Sequence, residues 1–308
     1  MTRVLVSGAR GFVGLPLLAE LARDGAELHA LSTRPSPPAL PGVCWHQLDL
    51  FDSVAVDALM QELAPERLVH LAWYTKHGHY WRAPENVTWV ERSLELLRAF
   101  SRHGGRRLVM LGTCAEYDWS TAGAPLVESS SPLVPATLYG VAKDALRRVA
   151  DAYAAQEGVE LAWGRLFFLY GPREASERLV PSVTRALLLG EPVAVSSAQQ
   201  VRDFMHVDDV AGAVAALLES NVVGPVNIAS GVGVTVGDVI EGIVRLIGRP
   251  DLVRRGALPD RLGDPPLLLA DVTRLRDEVG FRPRWELADG LAATVQWWRR
   301  HVDDSPYR

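Results

Sequence analysis

The chain has 308 residues, 48% of them hydrophobic and 22% charged, enough for one large core or two modest ones. Its formal net charge is −5, and no basic cluster alternates with aromatics, which excludes the electrostatic footprint of a nucleic-acid binder. No apolar run reaches the ~18 residues of a membrane helix, Met1-Thr2-Arg3 leads into an apolar strand rather than a signal peptide, and Cys44 and Cys114 make neither a disulfide framework nor a spaced metal site. A reduced, cytoplasmic protein is expected, with neither membrane nor nucleic acid as a partner.

Residues 4–7 predict a short strand. Gly8-Ala9-Arg10-Gly11-Phe12-Val13-Gly14 follows at once, and helical periodicity sets in over 15–22. Strand, glycine turn and helix together are the setting in which such a motif cradles a dinucleotide. Gly8 would permit the tight turn, and Gly11 the close approach of a pyrophosphate, with Phe12 and Val13 beside it. Gly14 would allow tight helix–strand packing, the phosphates lying at the helix N-terminus. The spacing is GxxGxxG rather than GxGxxG.

A second strand over 27–31 ends in Ser32-Thr33-Arg34. A site for NAD normally places a carboxylate there to bind the ribose hydroxyls. Here Ser32 and Arg34 offer a hydroxyl and a guanidinium to a 2′-phosphate, which favours NADP(H) and leaves NAD(H) possible. The alternative is an exposed loop leading into the proline-rich stretch 35–41. A third strand over 43–48 carries Asp49 toward the adenine, with Leu50 beside it.

The fourth strand, over 67–72, ends in the aromatic stretch from Trp73 to Trp81, at the edge where open α/β sheets bind ligands. A stacking or lid surface is expected there, or packing against a second domain. His77 and His79 have no third ligand nearby, so no metal is expected. A helix over 86–103 and a fifth strand over 107–111 lead into Gly112-Thr113-Cys114-Ala115-Glu116-Tyr117. There the Thr113 hydroxyl could bind a substrate oxygen.

Residues 136–155 predict a helix on which Tyr139 and Lys143, four apart, share one face. A fixed ammonium beside a phenol lowers its pKa, by ~1–3 units in comparable pairs, and fits it for proton transfer. A strand over 161–167 follows. Strands alternating with helices over residues 2–167 mean a doubly wound parallel sheet. The second half reads as a turn at 170–173, a helix running to 220, a strand at 224–228, and helices over 235–247, 271–279 and 287–301.

Gly8/Gly11/Gly14, Thr113, Tyr139/Lys143 and the stretch Arg202-Asp203-Phe204-Met205-His206-Val207-Asp208-Asp209 together resemble the extended short-chain dehydrogenase/reductase family of nucleotide-sugar epimerases, dehydratases and ketoreductases. The resemblance covers nearly the whole chain. It implies a Rossmann-type dinucleotide-binding domain over 1–165 plus 202–228, and a smaller, mixed α/β substrate domain over 166–201 plus 229–308. Thr113 resembles the catalytic Ser/Thr, Tyr139 the acid/base, and Lys143 the residue that binds the nicotinamide ribose. Leu71 and Ala72 resemble the segment beneath the cofactor, where Trp73 replaces the usual Ala. Arg202 and Arg261 resemble the two arginines on the substrate diphosphate.

Two departures narrow this resemblance. The dehydratases carry an Asp-Glu pair after the catalytic Thr, where this chain has Cys114 and Ala115. The family's Asn on the nucleotide sugar is replaced by Phe168. The expected activity is NAD(P)H-dependent reduction of a nucleotide-diphosphate-linked keto-sugar, a 4-keto-6-deoxyhexose. The alternatives are a 4-epimerase with tightly held NAD and, further off, a catalytically silent cofactor sensor. The helices over 86–103 and 136–155 resemble those that pair in family homodimers.

Overall fold

A computed structural model describes residues 2–35, 39–121, 123–260 and 263–303. Seven strands form a wholly parallel sheet: β1 (Arg3–Ser7), β2 (Glu27–Ser32), β3 (Val43–Gln47), β4 (Arg67–His70), β5 (Arg107–Thr113), β6 (Glu160–Leu166) and β10 (Gly224–Ile228), the last numbered by its place in the chain. Their spatial order is β10-β6-β5-β4-β1-β2-β3, so the order reverses between β1 and β4. The central strands are buried on both faces and accordingly read as unbroken apolar runs rather than alternations.

Helices cover both faces. On one side α1 (Gly14–Leu21) and α6 (Val207–Glu219) pack through Leu17, Leu18, Leu21, Val210 and Val214 against Val4, Val6, Leu28 and Ala30. On the other, α2 (Ser53–Leu63), α3 (Glu85–Arg102) and α4 (Leu138–Glu157) set Met60, Leu97, Phe100 and Leu146 against Leu5, Leu31, Leu68 and Leu108. This sheet between two helical layers is a Rossmann-type fold. It opens a crevice beyond the carboxyl ends of β1 and β4.

A second sheet joins β9 (Val201–His206) to β7 (Phe168–Tyr170), β11 (Gly233–Thr235) and β13 (Leu267–Leu268), while β8 (Val193–Ala194) pairs with β12 (Val253–Arg254). A separate core forms where α5 (Leu179–Leu189), α7 (Val236–Ile247) and α8 (Leu287–His301) bury Val183, Ile240, Ile243 and Leu291 around Tyr170.

Most expected elements form within a residue or two of their predicted ends. The helix expected over 271–279 does not: only a single wide turn, Arg274–Glu278, is helical. Helices α2 and α5 and strand β9 lie beyond the sequence reading. Asp52 caps α2 by accepting from the Ala55 N–H at 3.0 Å. α5 keeps Pro181 in its first turn, where a missing N–H is harmless.

Candidate active site

The β1–α1 turn comes first in the chain and sets the floor of the crevice. Gly8 has φ +68°, and a Cβ there would lie 2.7 Å from the Ala72 backbone nitrogen. Only glycine lets this turn lie against the segment leaving β4. The Leu71 N–H donates to the Ser7 carbonyl at 3.2 Å and the Gly11 N–H to the Gly8 carbonyl at 2.9 Å, which locks the turn. No side chain caps the N-terminus of α1; Pro16 lacks an N–H and the Leu15 and Leu17 N–H groups donate to the Gly11 and Val13 carbonyls, so the backbone of the turn itself and the helix dipole are what a phosphate would use. The turn and the uncapped helix end fit a dinucleotide pyrophosphate.

The ends of β2 and β3 form the next wall. The Leu48 N–H donates to the Ser32 carbonyl at 3.0 Å, which brings Ser32 and Arg34 beside Asp49 and Leu50. The Ser32 hydroxyl donates to the Arg34 carbonyl at 3.0 Å. Asp49 accepts from the Phe51 N–H at 3.0 Å. Arg10, which the sequence reading did not single out, reaches across from the first turn and donates to the Pro35 carbonyl at 3.1 Å. Two guanidinium groups therefore border this end of the crevice.

At the carboxyl end of β5, Thr113 caps a short 3₁₀ turn, Cys114–Glu116, and its hydroxyl accepts from the Ala115 N–H at 3.2 Å. Glu116 is wholly buried. It accepts from the Thr113 N–H at 2.9 Å, from the Trp163 indole at 3.0 Å and from Arg165 Nε at 2.7 Å. The sequence reading gave Glu116 no role; its partners on β6 lie about fifty residues on, so no local spacing marks the pair. Through this network the Glu116–Arg165 ion pair holds Thr113 in place.

α4 brings Tyr139 to the same spot. A Cβ on Gly140 would lie 2.4 Å from the Ala115 carbonyl, so glycine is what lets the helix seat on the 3₁₀ turn. The Tyr139 phenol comes close enough to the Thr113 hydroxyl for Thr113 to act on its pKa, and both line the same cleft. Tyr80 and Trp81, from the aromatic stretch after β4, stand edge-on to its ring, with centroids at 5.0 and 5.7 Å. The stretch thus packs against Tyr139 at the end of the crevice that also holds Thr113.

The expected pairing of Tyr139 with Lys143 is not what the structure contains. Burial raises the Tyr139 phenol above its ordinary value, Tyr80 adds to the rise, and the Thr113 hydroxyl opposes it. Lys143 instead donates to the Leu111 carbonyl at 2.8 Å and stands 3.6 Å from the centre of the Trp73 ring. Burial brings its ammonium down to about 7, against a smaller opposing pull from Glu116. Four-residue spacing puts both side chains on one face, but the partner each finds is set by what packs there. Beneath them, buried His70 bridges Ser7 at 2.6 Å and Ser93 at 2.9 Å, and burial and Lys143 lower it to about 3, so it stays neutral.

The far side comes from the second half of the chain. Arg202, almost fully buried, holds Asp264 at 2.7 Å and lies over the Phe168 ring. Arg261 lies outside the described residues. Cys114 is buried, which pushes its thiol up to about 12 and keeps it neutral. Glu174, which the sequence reading did not mark, lines the same wall with one carboxyl oxygen unpartnered, and burial raises it to about 8 against a pull from Arg178.

One cleft of about 1690 Å³ collects Gly8, Gly11, Phe12, Val13, Gly14, Ser32, Arg34, Asp49, Leu50, Leu71, Ala72, Trp73, Thr113, Cys114, Tyr139, Lys143, Phe168 and Arg202. Arg261 apart, every residue the sequence put forward for the site lines it. A glycine turn at a helix end, a proton-carrying phenol and the buried Arg202 guanidinium share one space, an arrangement that suits redox chemistry on a bound ligand.

Residues 4–229 match the model of the NAD dependent epimerase/dehydratase family. The dTDP-glucose 4,6-dehydratase of Streptomyces griseus is 29% identical, over 97% of this chain and 95% of its own. The dTDP-4-dehydro-6-deoxy-D-allose reductase of Streptomyces bikiniensis is 28% identical over 97% of each chain. The UDP-glucose 4-epimerase of Thermus thermophilus, solved in complex with NAD, superposes with a TM-score of 0.85 at 26% identity, over 97% of this chain and 99% of that one.

Proposed function

This chain belongs to the NAD dependent epimerase/dehydratase family, enzymes of the extended short-chain dehydrogenase/reductase type, and from that premise we propose that it reduces the ketone of a nucleotide-diphosphate-linked 4-keto-6-deoxyhexose, preferring NADP(H). The observation that carries this reading is that Tyr139 meets Thr113 in the cleft beside two uncharged side chains, Cys114 and Ala115. Elimination of water calls for an acid and a base. The neutral thiol and the methyl group supply neither, and Glu116 is committed to Arg165.

When bound, the reduced nicotinamide supplies hydride to the ketone carbon. Tyr139 gives its hydroxyl proton to the ketone oxygen as charge develops there, and Thr113 holds that oxygen in line. Lys143 lies on the cofactor side, where it would bind the ribose. Gly8, Gly11, Phe12, Val13 and Gly14 would hold the pyrophosphate, Asp49 and Leu50 the adenine, and Leu71, Ala72 and Trp73 the nicotinamide half. Arg10 and Arg34, with Ser32 and no carboxylate at the end of β2, support the preference for a 2′-phosphate. Arg202 and Arg261 would take the sugar diphosphate, with Phe168 beside them. We divide the chain into a dinucleotide-binding unit, 1–165 plus 202–228, and a substrate unit, 166–201 plus 229–308. Exposed Val87 on α3 and Val141 and Val149 on α4 support a homodimer through these helices.

The test is to supply NADPH with a nucleoside diphosphate 4-keto-6-deoxyhexose and to follow both the reduced cofactor and the sugar. One NADPH oxidised per ketone lost is the expected result. Release of stoichiometric NAD on denaturation, with interconversion of 4-epimers and no net cofactor use, would make the chain an epimerase like its Thermus neighbour.

A further inference from the structure

Apart from the residues that line the crevice, the outer strands of the large sheet carry a cluster of metal-ligating side chains. In the pairing of β2 with β3, His29 stands opposite Cys44 and Leu31 opposite His46. The two-residue period of each strand therefore points His29, Cys44 and His46 out of the same face. Their ligand atoms all lie within 4.8 Å of one another, and His29 Nδ1 is 2.9 Å from His46 Nε2. His29 is buried, in a strand whose neighbours Leu28, Ala30 and Leu31 are all apolar and buried. An imidazole in that setting needs a polar reason to be there.

We propose that His29, Cys44 and His46 form a binding site for a zinc-class divalent ion, with water completing the coordination. Zn–N and Zn–S bonds of ~2.1 and ~2.3 Å place tetrahedral ligand atoms roughly 3.4–3.6 Å apart, so the cluster needs adjustments of about an ångström or less to close on an ion. The second His29 nitrogen, Nε2, is 3.2 Å from the Glu27 carboxylate. This is the outer contact that fixes a ligating imidazole: Nε2 keeps its proton and donates to Glu27, while Nδ1 turns its lone pair to the metal. The thiol loses its proton to solvent as the ion binds, leaving a thiolate ligand. Glu62 of α2 also acts electrostatically on His46 and adds negative charge to the surroundings. Cys44 is exposed, so the ion has an entry path. An ion here would tie the edge strand β3 to β2.

The experiment uses the full chain without a histidine tag, stripped with chelator and titrated with cobalt(II). A thiolate-to-cobalt charge-transfer band that saturates at one ion per chain and is erased by zinc is the expected result, with a rise in Tm when zinc is added. Cys44→Ser should abolish both the band and the Tm rise, and His46→Gln should weaken binding at least tenfold. Glu27→Gln should weaken it about 10–100-fold while keeping the band. Absence of the thiolate band in the wild-type chain, or a full zinc-induced Tm rise in Cys44→Ser, would overturn the site. Turnover of the keto-sugar by Cys44→Ser should equal wild type, because Cys44 is not among the residues that line the cleft.

Discussion

Tyr139 is acted on by Thr113 rather than by Lys143, so the proton we propose it transfers would be controlled by the 3₁₀ turn after β5. Tyr139→Phe keeps the ring and loses the proton. Turnover should fall ~10²–10⁴-fold while cofactor affinity by calorimetric titration stays within a factor of two or so. Glu116→Gln should act differently, because it strands the buried Arg165 guanidinium. A stability loss of ~3–5 kcal/mol in urea unfolding is expected, together with a fall in turnover. Lys143 gives a pH signature. Its folded value of about 7 lies below the ordinary 10.5, so the unfolded chain binds the extra proton between those values. The stabilisation gained by Lys143→Met should therefore be complete below about pH 7. It should shrink as pH rises from there toward 10.5, at up to about 1.4 kcal/mol per pH unit. A pH-independent difference in stability between the two proteins would show that Lys143 is fully charged in the folded state.

Among the elements, the seat of α4 on the Cys114–Glu116 turn decides whether Tyr139 and Thr113 meet. Gly140→Ala would press a methyl into the Ala115 carbonyl, and the helix must retreat. A stability cost of ~1–3 kcal/mol is expected, with kcat falling further than a stability loss alone would bring. Two elements hold their ends by sequence-encoded caps: Thr137 accepts from the Gly140 N–H at the start of α4, and Thr235 and Asp238 close a capping box on α7. A cap is a local pattern, yet the sequence reading placed these ends by periodicity, at 136 and 235, and took both threonines into the helices. The wide turn Arg274–Glu278 was not legible in the sequence. Arg274 uses its guanidinium on the carbonyls of Pro225 and Val223 beside β10, so the segment is shaped by a strand some fifty residues earlier in the chain.

Over the whole molecule, the cleft lies between the large sheet and the elements around β9, and Arg202 reaches it from β9. Arg202→Met should raise the KM for the sugar nucleotide at least tenfold and leave NADPH binding unchanged, which steady-state kinetics can separate. The proposed homodimer has its own check: wild-type protein should sediment as a dimer, and Val87→Lys with Val149→Lys as a monomer. Among the described residues no helix is long and apolar enough to cross a membrane.

Read alone, the chain determined the alternation of strand and helix, the glycine turn and the order of the motifs, and it put forward many of the residues that line the cleft, though not Arg10 or Glu174. These are local signals: periodicity, turn chemistry and spacing within one element. Tertiary structure alone decided which groups meet. The Glu116–Arg165 pair, the Trp73 ring over Lys143, the unpartnered carboxyl oxygen of Glu174 and the His29–Cys44–His46 cluster each depend on packing or strand pairing that no residue spacing encodes. Burial then set the protonation of Lys143 and Glu174. A Tyr and a Lys four residues apart predict one shared face; the low-polarity interior around them decides that the lysine's ammonium comes down to about 7 while the phenol holds its proton.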